Sequence, residues 1–282
     1  MIDYNMVRFL LGSHKLGVCF ETVLTLGCQE INHATLDVAE AFRLSRSELN
    51  VPISLCTSRE LFSLLGTKVY DEMDVSDYEG ANIIHNLNDP VPDHLRNKYD
   101  VVHDGGTLEH VFNIAEGIRG AMKMVKVGGH LILHNPSNNW FGHGFYQTSP
   151  EFYFRALAPE NGFEIIRIVA HDTTDQWYEV KDPNEARGRV ELFGTDRILS
   201  LVCARKTAEK EIFSTWPTQS DYSALWADGE RKLHGHEGQS FRSRIKNSLP
   251  SSVLRWMRRH IPSYYREYSF GNRSHFTKVT DY

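Results

Sequence analysis

The chain has 282 residues, 41% of them hydrophobic and 24% charged, with a formal net charge of −5. That balance is ordinary for a globular protein and allows one large domain with an appendage, or two small domains. No run of 18 apolar residues occurs, so no transmembrane helix is expected. Cys19, Cys28, Cys56 and Cys203 form no C-x-x-C pair, which argues against a zinc site and fits reduced thiols in a cytosolic protein.

In chain order, the apolar patch from Met6 to Leu11, broken by Arg8, is too short for a signal peptide. Residues 1–20 are expected to form a helix laid across a sheet and a short approach to it. Val23-Leu24-Thr25-Leu26 is a compact apolar run stopped by Gly27, the first strand. Thr35 is placed to cap a helix over TLDVAEAFRLSRSEL, with Val38, Ala41, Phe42 and Leu49 on one face. A second helix opens at Ser58 and Glu60, carries Leu61, Leu64 and Leu65, and stops at Gly66. The second strand is predicted over Lys68 to Val75, with Asp74 at its end. Ala81 to Leu87 is the third, leading into the proline-punctuated Asn88-Asp89-Pro90-Val91-Pro92.

Tyr99 to Val111, YDVVHDGGTLEHV, is the stretch that organises the rest. Tyr99, Val101 and Val102 form a buried strand closed by Asp104-Gly105-Gly106. Thr107 is placed to cap a helix, with Glu109 near its positive end. Ligands bind open α/β sheets at such carboxyl strand ends. Ile114 to Val125 reads as a helix, stopped by Gly128-Gly129, and His130 to His134 as the fifth strand. Asn135 to Pro150 is rich in Asn, Gly, His and aromatic residues and leaves the sheet where loops hold substrates. Ser149 and Pro150 then open a helix, SPEFYFRAL. Phe163 to Ala170 and Arg197 to Ala204 supply a sixth and a seventh strand, with a loop or small insertion over His171 to Asp196. From Thr207 the sheet is expected to be finished. Residues 241–282 carry a local charge of +7, which leaves about −12 on residues 1–240. Two readings of that basic, aromatic tail are a solvated helix packing a few rings on the body and a peripheral contact to an anionic membrane, a nucleic acid or a protein.

The pattern Asp100-Val101-Val102, then Asp104-Gly105-Gly106-Thr107, then Leu108-Glu109-His110-Val111 resembles the fourth strand and following loop of class I S-adenosylmethionine-dependent methyltransferases. The helix, Gly-Gly pair and apolar strand that follow continue the likeness, which covers residues 21–206. The resemblance implies an α/β fold: a doubly wound, seven-stranded, mostly parallel sheet with helices on both faces and its seventh strand antiparallel. It implies a methyltransferase-like domain over residues 1–206 and a basic C-terminal extension over 207–282. It further implies S-adenosylmethionine as methyl donor and transfer by direct displacement at the sulfonium.

The same resemblance names a site. Gly27 would pass under the cofactor, Asp74 would accept from the ribose hydroxyls, and Asp71 and Glu72 are alternatives to it. Asn86, with Leu87 beside it, would meet the adenine amino group, and Asp104, Gly105 and Gly106 would complete the pocket. The chain departs from the family by one glycine where two or three are usual after the first strand, and by Asn86 where Asp is commoner. Asn135-Pro136 lacks the aromatic ending of nucleic-acid amino-methyltransferases, so nucleic acid is not the expected partner. The expected acceptor is a small molecule or a sugar or glycan, methylated at oxygen. His143, between Gly142 and Gly144, is the candidate base, His110 its rival, and Tyr146 a third catalytic candidate. No metal ligands are read from the sequence, and the expected location is cytoplasmic. The absence of G-x-G-x-x-G speaks against a nucleotide-dependent oxidoreductase. A non-catalytic methyltransferase-like scaffold is the other alternative.

Overall fold

The computed structural model describes residues 1–31, 41, 57–172, 176–186, 188–223, 226, 250, 252–253 and 268–280. The helix expected after Thr35 lies outside them, as does most of the basic tail. Helix α1 (Tyr4–Lys15) starts where the Asp3 carboxylate accepts from the backbone N–H of Met6 at 2.8 Å. Strand β1 (Thr22–Leu26) follows, then α2 (Ser58–Leu64). A reciprocal box opens α2: Glu60 N–H donates to the Thr57 hydroxyl, and Thr57 N–H donates to the Glu60 carboxylate. Next come β2 (Val69–Asp74), the two-residue β3 (Ile83–Ile84), β4 (Tyr99–Asp104), α3 (Ile114–Met124) and β5 (Val125–Asn138). Helix α4 (Pro150–Ala156), β6 (Phe163–His171), β7 (Trp177–Val180), the one-turn α5 (Pro183–Ala186), β8 (Ile198–Lys206) and β9 (Phe276–Lys278) complete the order.

The strands form one sheet in the order β3-β2-β1-β4-β5-β8-β6-β7-β9. β1 to β5 are parallel, and β8 runs antiparallel to both β5 and β6 between them. Each central strand is buried on both faces, which is why it reads as a continuous apolar run rather than an alternating one. Leu24, Val102, Leu131 and Val202 face α3 and α4 in one core. Val23, Val101, Ile132 and Leu201 face α1 and α2 in the other. Asp100 ties the amino ends of three strands: its carboxylate accepts from Thr22 N–H (2.9 Å), Thr22 hydroxyl (2.6 Å) and the Lys126 ammonium (3.2 Å).

Three expectations need correction. The sheet has nine strands, not seven. β7 lies within the stretch expected as a loop or insertion, and β9 comes from the far end of the extension, so the sheet does not finish at residue 206. Phe276 of β9, together with Ile212 and Phe213, is buried in the first core. Second, Gly128-Gly129 does not separate helix from strand. It forms an irregularity inside β5, where a Cβ on Gly129 would stand 2.7 Å from the Asp100 carbonyl oxygen. Third, the side chains of Thr107 and Ser149 make no helix cap. No helix among the described residues is long and apolar enough to cross a membrane.

Candidate functional site

The chain order reverses between β1 and β4, since β2 and β3 lie to one side and β5 to the other. At such a switch point the loops leave in opposite directions and open a crevice at the carboxyl edge. Two loops meet there. Gly27, at φ +73°, donates its N–H to the Met73 carbonyl at 2.7 Å. The Thr107 hydroxyl reaches across from the end of β4 to the Leu26 carbonyl at 2.7 Å, and a Cβ on Gly27 would stand 2.6 Å from that hydroxyl. Both the positive φ and this closeness require glycine. Gln29 extends the same floor, donating to the Leu26 carbonyl (2.8 Å) while its own carbonyl accepts from the Met1 amino nitrogen (2.7 Å).

Under this floor lies a buried acidic pair. Asp104 is fully buried, and one of its oxygens accepts from Thr107 N–H at 2.7 Å, closing the Gly105-Gly106 turn. Its other oxygen accepts from the Asn135 amide at 2.7 Å, and the same amide nitrogen donates to Glu109 at 3.1 Å. The Asn135 carbonyl accepts from the Tyr153 hydroxyl (3.0 Å), which lies 2.5 Å from the Thr148 hydroxyl. Burial raises the pKa of Asp104, and the neighbouring Glu109 raises it further; burial likewise raises that of Glu109. His103, one residue back on β4, is fully buried against Phe62, and neither ring nitrogen makes a hydrogen bond. Burial, the main cause, depresses its pKa to about 3.

On the other side of Gly27 the acidic residues of β2 separate by role. Asp71 accepts from the Tyr99 hydroxyl and the Asn82 amide, both at 2.7 Å, and Glu72 pairs with Arg59 at 3.2 Å, so both are engaged in the fold. Asp74 is the one that turns toward the loop after β1, where its carboxylate gathers with Cys28 and Glu79. Asn86 follows β3, but its carbonyl accepts from Asn88 N–H (3.0 Å) and the Asn88 amide (2.8 Å), which leaves it engaged with the chain itself. Leu87 is buried beside it in the first core.

Beyond Asp104 the chain makes a 3₁₀ turn, Leu108–His110, and the loop after β5 folds down on it. The Glu109 carbonyl accepts from Phe145 N–H (2.7 Å) and Tyr146 N–H (3.3 Å), and a Cβ on Gly144 would lie 2.8 Å from that carbonyl. This brings His143 to the Glu109 carboxylate, Nε2 to Oε1 3.6 Å, with its ring 5.1 Å from that of His110. Burial lowers the pKa of His110, and the neighbouring His143 adds to the effect. The Tyr146 hydroxyl donates to the Phe112 carbonyl at 2.7 Å and so anchors the loop. Phe112, Phe141 and Phe145 stand exposed around the histidines.

The structure thus brings Gly27, Asp104, Gly105 and Gly106 together, with Asp74 flanking them, and places His110 and His143 at the far end. Sequence reasoning missed Gln29, Asn135, Tyr153 and the side-chain role of Glu109. The polar Asn135 directly after an apolar strand was the available signal. An antiparallel β8 flanking a parallel, doubly wound β1 to β5 is the sheet that the resemblance implies. The fold is that of a class I methyltransferase.

Comparisons with known proteins stand beside that sheet. No protein-family model matches the chain, and no curated protein matches it. Among solved structures, MccD protein is 12% identical, with 71% of this chain and 96% of that one covered at a TM-score of 0.42. The methyltransferase CalH, solved in complex with SAH, is 13% identical over 72% of this chain and 57% of its own, at a TM-score of 0.39. A branched-chain polyamine synthase from Thermus thermophilus, solved with 5'-methylthioadenosine, is 12% identical over 74% of this chain and 58% of its own, also at 0.39.

Proposed function

We propose that this protein transfers a methyl group from S-adenosylmethionine to an oxygen of a small-molecule or sugar acceptor. One observation carries the reading: the β1/β4 switch point has a glycine-lined loop with the Asp74 carboxylate beside it at one end, and a carboxylate with two histidines at the other. Gly27 and the Gly105-Gly106 turn, packed on Thr107, Gln29 and Glu109, would shape the wall beside the cofactor's methionine part, and Asp74 would accept from its ribose. Leu87 would wall the adenine. Asn86 is the weaker contact, because its carbonyl would first have to leave Asn88. Asp104 acts through the loop it clamps rather than by touching the ligand.

In the reaction an acceptor hydroxyl would give its proton to a base, for which His143 and His110 are the candidates, while its oxygen attacks the methyl carbon, the carbon–sulfur bond breaks and S-adenosylhomocysteine leaves. The protein's task is to hold the oxygen in line, about 3–3.5 Å from that carbon. His143 and His110 are the groups that would meet the acceptor, and Tyr146 fixes the loop that carries His143. The exposed phenylalanines around them suit an acceptor with an apolar or ring-shaped body.

The test is to incubate the protein with S-adenosylmethionine and hydroxyl-bearing acceptors, phenolic and sugar, and to measure S-adenosylhomocysteine. Its accumulation only when an acceptor is present is the expected result. Tight NAD(H) binding with no binding of S-adenosylmethionine would overturn the reading.

A further inference from the structure

Glu109, His110 and His143 offer three metal-ligand atoms that all lie within 4.8 Å of one another, on two segments that the backbone pins together. The cysteine spacing argued against a zinc site, but that argument concerns thiolate ligands, and these donors are an oxygen and two imidazoles. We propose that they bind one divalent first-row transition-metal ion, Zn²⁺ foremost, at the acceptor end of the crevice. One carboxylate and two histidines form a ligand set that holds such ions and leaves a coordination position open.

The geometry is close to what an ion requires. Ligands about 2.1 Å from a tetrahedral Zn²⁺ lie about 3.4 Å apart. Glu109 Oε1 and His143 Nε2 are at 3.6 Å already. The remaining gap, about an ångström, falls on the two histidines, which are exposed enough to turn. His143 has glycines at φ +89° and +66° on either side, so its backbone can follow. Glu109 is the fixed point. It is 2% exposed, and its second oxygen is held by the Asn135 amide, itself fixed by Tyr153 and Thr148. Such outer hydrogen bonds are how proteins aim a ligating carboxylate. A simple Glu109–His143 pair would account for the 3.6 Å contact. It gives no reason for a second imidazole edge-on to the first, 5.1 Å away.

The chemical consequence rests on the methyl-transfer reading; ion binding does not. An acceptor hydroxyl in the open position would be acidified by the ion and lose its proton to solvent. Its oxygen would then form the bond to the methyl carbon as the carbon–sulfur bond breaks. S-adenosylhomocysteine and the methyl ether leave, and the ion is unchanged.

The experiment uses the full chain, stripped with a chelator and titrated with Zn²⁺ by calorimetry, and with Co²⁺ by its visible d–d absorption. One equivalent should bind. His143→Ala and His110→Ala should each weaken binding by about 10–100-fold or more with the melting temperature unchanged, since both side chains lie at the surface. Failure to bind either ion would overturn the site, as would binding that survives in the double variant, which would place the ion elsewhere. S-adenosylhomocysteine binding is measured on the same samples. Loss of that binding with ion binding intact would sink the methyl-transfer reading alone, and the converse would sink the metal site alone.

Discussion

The end of β4 and the loop after β5 meet at one carboxylate, yet they are built in opposite ways. Asp104, Asn135 and Tyr153 are buried and joined by hydrogen bonds of 2.7 and 3.0 Å. A few residues on, Phe141 is fully exposed, Phe145 largely so and His143 about half so. Burying polar groups costs free energy unless each finds a partner, so the first region is a network whose members depend on one another. The second is held to the body through backbone bonds to Glu109 and the Tyr146 hydroxyl, and its phenylalanines stay exposed. The contrast assigns stability to the first region and recognition to the second.

The sharpest way to break that division is Asn135→Leu. It fills a similar volume but removes the amide that bridges Asp104 and Glu109, so two buried carboxyls lose their common donor. The expected loss is about 3 kcal/mol, and the melting temperature should fall by roughly 6–12 °C. Thermal or urea unfolding checks it. A change below about 1 kcal/mol would mean that the pair needs no bridge, and the contrast would fail.

A smaller effect sharpens the same comparison from within β4. His103 is buried with its pKa held at about 3, so below the unfolded value of about 6.5 the unfolded chain binds a proton that the native state does not. That contribution therefore lowers stability as pH falls. His103→Leu removes it, and the two unpartnered ring nitrogens with it. The variant should be more stable than the parent by a margin that widens by about 1.4 kcal/mol per pH unit below about pH 6.5. Taking the difference between the two proteins cancels the opposite trend from Asp104 and Glu109, whose raised values let the native state bind protons first. Unfolding curves at pH 7, 6 and 5 measure it. A margin independent of pH would contradict the burial argument.

The legibility of the sequence follows the same division. β1 and β4 were readable because parallel strands buried on both faces are continuous apolar runs, and Gly27 and Asp104 end them plainly. β5 was cut short, because two glycines look like a stop where the sheet uses them for an irregularity against Asp100. β7 and β9 are short and pair across about a hundred residues of chain, so no local pattern announces them. At the site, glycines and aspartates at strand ends could be found, since their reason is local backbone geometry. The bridge from Asn135 to Glu109 could not, because it joins β5 to a turn after β4 and exists only once both strands are in register. Tyr146 was placed in the right loop with a different task, its hydroxyl being satisfied by the Phe112 carbonyl.

The function proposed for this chain turns on the S-adenosylmethionine pocket proposed at the β1/β4 switch point. It is tested most directly by titrating the folded chain with S-adenosylhomocysteine and following its melting temperature. A ligand that binds only the native state adds about 2.7 kcal/mol at a hundredfold excess over its dissociation constant. For a chain of this size that is a rise of roughly 5–10 °C. Asp74→Ala, which removes the carboxylate proposed to meet the ribose, should shrink the rise without moving the melting point of the unliganded protein by more than a degree or two (roughly 0.5 kcal/mol). No shift at millimolar S-adenosylhomocysteine, with a shift from NAD in its place, would contradict the account.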